Sequence, residues 1–317
     1  MRTLRYVHLV AATTALCGAA LVAGCSGKDS GSSTRDGTES KKLVVMLIPS
    51  ETGSKSVLDD YAPLFGAVTR VHGIHFDLKM GDSYNAVVEG MVAGHIDVAF
   101  FGPVTFDEAR RRGAAELLAV EERDGSSVYF SGIFHRKDSG MSGLGDLKGK
   151  TVAVGDPKST SSFRYPVAML VAAGIDPPRD LGKILMAGSH SASLEQLEAG
   201  HAAAAAASLN AFDKLVADGV VDSSTLGLLA KSDPIPSPPL AMHARLSDPL
   251  KKKLRAAFHT IHEADGVTPE MLLGYGGQKV DRYNSEFDPA VFDRAMQTLS
   301  KVTDELVGEI IDKAGTR

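Results

Sequence analysis

Residues 80–107, MGDSYNAVVEGMVAGHIDVAFFGPVTFD, decide the fold when residues 186–213, MAGSHSASLEQLEAGHAAAAAASLNAFD, are laid beneath them. At this gap-free offset of 106, ten of the 28 pairs are identical, among them Ser83/Ser189, Gly94/Gly200, His95/His201 and Phe106/Phe212. Composition alone should give fewer, so the chain reads as one structural unit used twice. In the first copy a helical stretch at 85–93 precedes IDVAFF at 96–101, a short apolar run of the kind buried on both faces of a parallel sheet. In the second copy HAAAAAA, residues 201–207, occupies the same place. Intrinsic propensity favours a helix there. The repeat favours a buried strand, and a buried strand is predicted.

The flanking sequence extends the pattern. Residues 43–48 (LVVMLI) form an apolar run ended by Pro49, and Val57, Leu58, Tyr61, Leu64, Phe65, Val68 and Val71 then recur at helical spacing up to Gly73. A strand at 75–80 completes β-α-β-α-β, which implies a mostly parallel sheet with right-handed crossovers. The order restarts with a strand at 151–154, a helix at 166–173, a strand at 183–186 and a helix at 191–199. The same offset sets Val45 on Thr151, so the first strands of both copies also coincide. The expected fold is α/β, with two lobes that are each a mixed sheet flanked by helices. Such a pair holds a ligand between the lobes, at the carboxyl ends of the strands. Tyr84 and His190 fall at matching helix mouths, one per lobe. Residues 289–314 read as one long helix with Phe292, Met296, Leu299, Val302, Leu306 and Ile310 on one face, expected to pack on the first lobe.

The loop GDPKSTSS, residues 155–162, follows a strand and precedes a helix. Its hydroxyls can cap the free N–H groups of the helix start. Together with those N–H groups they can also hold an anion, which the helix dipole favours. Both roles stay open on spacing alone. Pro166 cannot lie deep in a helix, so the first turn near Ser161 is short or a second helix begins at Pro166.

Composition narrows the function classes. A chain of 317 residues with a net charge of −5 suits two lobes and lacks the basic face of a nucleic-acid protein. It opens MRTLR, continues in an apolar stretch at 7–23, and reaches LVAGC at 21–25, the layout of a secretory signal ending in a bacterial lipobox. Cys25 then becomes a lipidated N-terminus. Loss of residues 1–24 discards Cys17 together with Arg2 and Arg5, which takes the net charge from −5 to −7. The remaining body has no internal cysteine for a disulfide or a nucleophile. Residues 26–40 (SGKDSGSSTRDGTES) cannot bury a core and read as a flexible tether.

Three stretches carry a resemblance: IDVAFFGPVTFDEA (96–109), DLKGKTVAVGD (146–156) and GDPKSTSSFRYPVAMLVAAGI (155–175). They resemble the phosphonate-, phosphite- and phosphate-binding components of ABC importers, over roughly residues 41–245. The resemblance implies the two-lobed periplasmic-binding (type II) fold and a cleft that takes a small phosphorus oxyanion. By matching position, Ser159, Thr160 and Ser161 correspond to the family's phosphonyl-gripping hydroxyls. Tyr84 in SYNAVVEGM, Tyr129 in GSSVYFSGI and His190 in AGSHSASL correspond to ligand-facing residues. Ser162 stands where the family usually has glycine. Asn210 and Pro238 fall where relatives that bind aminoalkylphosphonates carry acids, and neither can neutralise an ammonium group. The expected ligand is therefore phosphite, phosphate or a small neutral alkylphosphonate. Choice between phosphite and phosphate turns on a buried acceptor, for which Asp156, Glu51 and Asp82 are candidates.

The expected organisation is a signal peptide at 1–24, lipidated Cys25 and linker at 25–40, lobe 1 at 41–135 plus 233–317, and lobe 2 at 136–232. The expected protein is not an enzyme, needs no cofactor or metal, and acts as a lipid-anchored extracytoplasmic monomer that hands its ligand to ABC permease subunits. Other readings are a non-transport sensor lipoprotein of the same fold, a metal-binding lipoprotein and a pyrimidine-precursor enzyme. The enzyme would need a cysteine-rich motif that the body lacks. The pairs His72/His75 and His259/His262 read as surface histidines.

Overall fold

The structure is a computed structural model that describes residues 35–49 and 54–315. The expected signal peptide, Cys17, Cys25, the expected linker up to residue 34, and Glu51 lie outside the described residues. The chain begins with β1 (Leu43–Leu47), α1 (Ser54–His72), β2 (Phe76–Met80), α2 (Tyr84–Val92), β3 (Val98–Phe100), α3 (Pro103–Arg111), β4 (Ala115–Glu122) and β5 (Val128–Tyr129). It continues with β6 (Ser131–Arg136), β7 (Thr151–Gly155), α4 (Tyr165–Ala172), α5 (Pro177–Asp180), β8 (Lys183–Gly188), α6 (His190–Glu198), β9 (Ala204–Ser208), α7 (Leu209–Ala217) and β10 (Leu226–Lys231). It ends with β11 (Ile235–Pro236), β12 (Pro239–His243), α8 (Asp248–Thr260), β13 (Arg282–Asn284), α9 (Ala290–Thr298) and α10 (Asp304–Gly315).

Two large sheets result. The first has the order β13-β4-β12-β3-β1-β2 and the second β10-β6-β9-β7-β8. In the first, β2, β1 and β3 run parallel and β12 inserts antiparallel between β3 and β4. In the second, β8, β7 and β9 run parallel and β6 inserts antiparallel between β9 and β10. The two sheets thus follow one plan, each completed by a strand from another part of the chain. The repeat holds in detail, since α2 and α6, and α3 and α7, start and stop at the same offset. Ser83 and Ser189 each cap their helix by accepting the N–H of Ala86 or Ala192 at 3.1 Å. Gly94 and Gly200 end those helices with the same left-handed φ of +75°.

The alanine run is a strand from Ala204 onward. The helix preference of alanine is only about 0.5 kcal/mol per residue over most alternatives. β9 offsets it by pairing on both edges, with Ala204–Ala207 fully buried.

Two other expectations need correction. The C-terminal segment is two helices, broken at 299–303. α9 packs on α3 of the first sheet, with Phe292 edge-on to Phe106 at 5.0 Å. α10 crosses to the second sheet, where Val302, Val307 and Ile310 join its core and Lys313 donates to the Pro178 carbonyl at 2.7 Å. The amphipathic stripe runs through the break because each half needs an apolar face, for a different sheet. Residues 35–40, expected to belong to the linker, are packed on the body instead. Arg35 pairs with fully buried Asp97, which also holds Arg245 at 2.7 Å and the N–H of Val44 at 2.8 Å. Gly37 accepts the His75 N–H at 2.8 Å, so this segment is docked on the body.

Between the sheets the chain passes through a small ribbon in which β5 pairs with β11. Ser131 and Ser232 bond across it, N–H to Oγ at 2.9 Å and N–H to carbonyl at 3.0 Å. β6 begins at Ser131 and lies wholly in the second sheet, five residues ahead of the lobe boundary expected at 136.

Candidate functional site

The carboxyl ends of the parallel strands of both sheets meet around one small cavity of about 10 Å³. Its walls are Ile48, Tyr84, Gly102, Tyr129, Ser159, Thr160, Ser161, Pro238 and Tyr275. Helix starts converge on it. Tyr84 is the first residue of α2, Gly102 caps α3, and Ser159 caps a single π-helical turn, Thr160–Arg164, that leads into α4. Wider hydrogen-bond rings in this turn (Arg164 N–H to Ser159 carbonyl, 3.0 Å) let Pro166 enter in the first turn of α4.

The hydroxyls of the turn are ordered by their neighbours. Ser159 Oγ accepts the Ser162 N–H at 3.2 Å and the Ser162 hydroxyl at 2.7 Å. Its own proton is then available to a ligand oxygen. Thr160 Oγ1 accepts the Val104 N–H at 3.0 Å, a bond that joins the second sheet's loop to the start of α3 on the first. Gly102 permits that approach, since a Cβ there would lie 3.3 Å from Thr160 Oγ1. Ser131 Oγ donates to the Ser161 carbonyl at 2.6 Å and fixes the turn from below.

His190 stands one layer behind the cavity wall. Nδ1 accepts the Ser208 N–H at 2.9 Å, so the neutral ring carries its proton on Nε2. Nε2 is 3.3 Å from Tyr275 Oη and 3.5 Å from Ser159 Oγ. Complete burial without an acid partner lowers its pKa to about 3. The ring is therefore an uncharged donor at neutral pH.

The structure brings Tyr84, Tyr129, Ser159, Thr160 and Ser161 together in the wall, with His190 as support. Asn210 is not in the wall. It lies in the first turn of α7 with Gly276 against its backbone, where a Cβ would come within 3.1 Å of the Asn210 carbonyl. Pro238 lines the cavity and offers no charge. Two of the acceptor candidates are corrected: Asp82 is exposed, and Asp156 bends back to accept the Lys158 N–H at 2.7 Å, while Glu51 lies outside the described residues. No carboxylate lines the cavity among the described residues. Nor do three His, Cys, Asp or Glu side chains converge as metal ligands among them.

Sequence reasoning missed Tyr275. It lies beyond the stretches that carried the resemblance, and the available signal was a tyrosine set in glycines, Gly274-Tyr275-Gly276-Gly277. Its N–H donates to Glu121 Oε2 at 2.6 Å, and its hydroxyl donates to Ser208 Oγ at 3.1 Å. Glu121 is buried under this loop, and desolvation raises its pKa to about 7.

A family model described as the periplasmic substrate-binding protein of phosphonate ABC transporters matches residues 45–281. The chain belongs to that family. Over 262 residues it is 31% identical to the phosphate-import protein PhnD of Mycolicibacterium smegmatis, covering 79% of this chain and 81% of that one. A binding protein of a Pseudomonas aeruginosa ABC phosphonate transporter superposes with a TM-score of 0.70 at 21% identity, over 85% of this chain and 95% of that one. A Prochlorococcus marinus protein in complex with methylphosphonate gives 0.69 at 18%, over 83% and 98%. The fold is the two-lobed fold of periplasmic-binding proteins, and each large sheet is the centre of one lobe. The family member works outside the cytoplasm as a binding component of an importer and not as an enzyme. No helix among the described residues is long and apolar enough to cross a membrane.

Proposed function

We propose that this binding component captures a small phosphorus oxyanion without an amino substituent and delivers it to an ABC permease. Phosphite, phosphate and short alkylphosphonates are the ligand class. The observation that carries this reading is the hydroxyl turn Ser159–Ser161 on one lobe facing Tyr84 and Tyr129 across the cavity. Phosphoryl oxygens take donors from the turn. Pro238 in the wall carries no charge to meet a ligand ammonium, and an ammonium buried without a partner is costly. The Thr160–Val104 bond and the Tyr275–Ser208 bond both cross between lobes. A ligand held by both sides stabilises the closed form because it makes those contacts only there. The ribbon of β5 and β11 and the Ser131–Ser232 bonds mark the hinge, and lobe 2 starts with β6. On this reading Cys25 carries the lipid, and Arg35, paired with Asp97, is already docked on the body.

The test is Thr160→Ala combined with Ser161→Ala. A hydrogen bond to a charged group is worth about 1.5–3 kcal/mol, so each lost donor weakens binding by about tenfold to a hundredfold. Calorimetry should show that loss for whichever oxyanion binds best. Unchanged affinity would mean that the turn serves only as a helix cap.

A further inference from the structure

We propose that Tyr275 sets the size limit of the group carried on phosphorus, acting as a bolt across the two lobes. This rests on the phosphorus-oxyanion reading and adds a residue outside the hydroxyl turn. The cavity wall is of two kinds. Ser159, Thr160 and Ser161 bring hydroxyls to it, and Ile48, Tyr84, Tyr129, Pro238 and Tyr275 bring rings and apolar surface. An anion that turns its oxygens toward the hydroxyls leaves its remaining substituent facing those rings. The whole cavity is only about 10 Å³, so a substituent on phosphorus meets these wall residues directly, and each added carbon presses harder on them.

Tyr275 is the wall residue held from the most directions. Its ring meets Tyr129 edge-on at 5.2 Å and lies 6.2 Å from Phe100. Its N–H is tied to Glu121 on the first sheet, and its hydroxyl reaches Ser208 and His190 on the second. Gly274 is required below it, because a Cβ would come within 2.0 Å of Glu121 Oε2. Gly277, at φ +65°, seats the loop against the Asp60 carboxylate. A ring fixed in this way does not yield to a larger substituent.

The experiment is calorimetric titration of the whole protein, and of Tyr275→Leu and Tyr275→Phe, with phosphite and then methyl-, ethyl- and propylphosphonate. The unsubstituted protein should lose at least about tenfold in affinity at the step from methyl to ethyl. Tyr275→Leu should cut that step to threefold or less. Tyr275→Phe keeps the ring and loses the hydroxyl bonds, so it should weaken all ligands by a similar factor and keep the step. A residue that is merely structural would weaken every ligand equally in both variants. An unchanged step in Tyr275→Leu, or no step in the unsubstituted protein, would overturn the proposal. No binding of any phosphorus oxyanion by any of the three proteins would overturn the parent reading and this one with it.

Discussion

His190 and Glu121 are both buried, and they titrate in opposite senses. The histidine has a folded pKa near 3 against an unfolded value of about 6.5, so the unfolded chain binds more protons between these values. Its contribution to stability is present above pH 6.5 and is lost as pH falls toward 3. Glu121 has a folded pKa near 7 against about 4.5 unfolded, so its contribution is present below pH 4.5 and is lost as pH rises through 7. Each slope is about 1.4 kcal/mol per pH unit at its steepest, and they oppose between pH 4.5 and 6.5. Melting temperature should therefore stay nearly level from pH 6.5 to 5. Glu121→Gln keeps an acceptor for the Tyr275 N–H and removes one slope. Its melting temperature should fall steadily over the same interval. Curves that run parallel for the two proteins would show that the assignment of these slopes is wrong. At this scale the wall residues Ser159–Ser161 were legible as a hydroxyl run at a helix start, Tyr84 through the internal repeat, and Tyr129 only through the resemblance. Tyr275 and Glu121 were not legible, since their roles come from a contact 154 residues apart in sequence.

The π-helical turn in the cavity wall depends on one close approach. Gly155 ends β7 directly under the π-helical turn, and a Cβ on it would lie 2.0 Å from Ser162 Oγ and 2.8 Å from Ser162 Cβ. Beyond Ser162, the next atom is the Ser189 backbone carbon at 3.7 Å, an ordinary contact. Gly155→Ala should thus destabilise by about 1–3 kcal/mol through overpacking. Adding Ser162→Gly should recover most of that loss, a coupling that chemical denaturation of the two single variants and the double variant measures. Additive losses would mean that the strain lies elsewhere. The repeat made most elements readable, including the alanine strand, for which propensity alone gives a helix. The break between α9 and α10 was hidden because LSKVT, residues 299–303, holds neither proline nor glycine. The docking of Arg35 was hidden because its partner, Asp97, sits inside an apolar strand pattern.

Over the whole molecule, one plan used twice places two sets of strand ends and helix mouths face to face. The cavity between them offers hydroxyl and ring surface and, in its described wall, no carboxylate. The Thr160–Val104 and Tyr275–Ser208 bonds join the lobes, so on the proposed function ligand affinity and closure share the same residues. The measurement that tests this most directly is calorimetric titration of the protein, stripped of ligand by unfolding and refolding. Phosphite, phosphate, methylphosphonate and 2-aminoethylphosphonate are the ligands, in a buffer free of phosphate. The account predicts that one of the first three binds at least about a hundredfold more tightly than 2-aminoethylphosphonate, a gap of about 2.7 kcal/mol. Tightest binding of the aminophosphonate, or heat from none of the four, would contradict it.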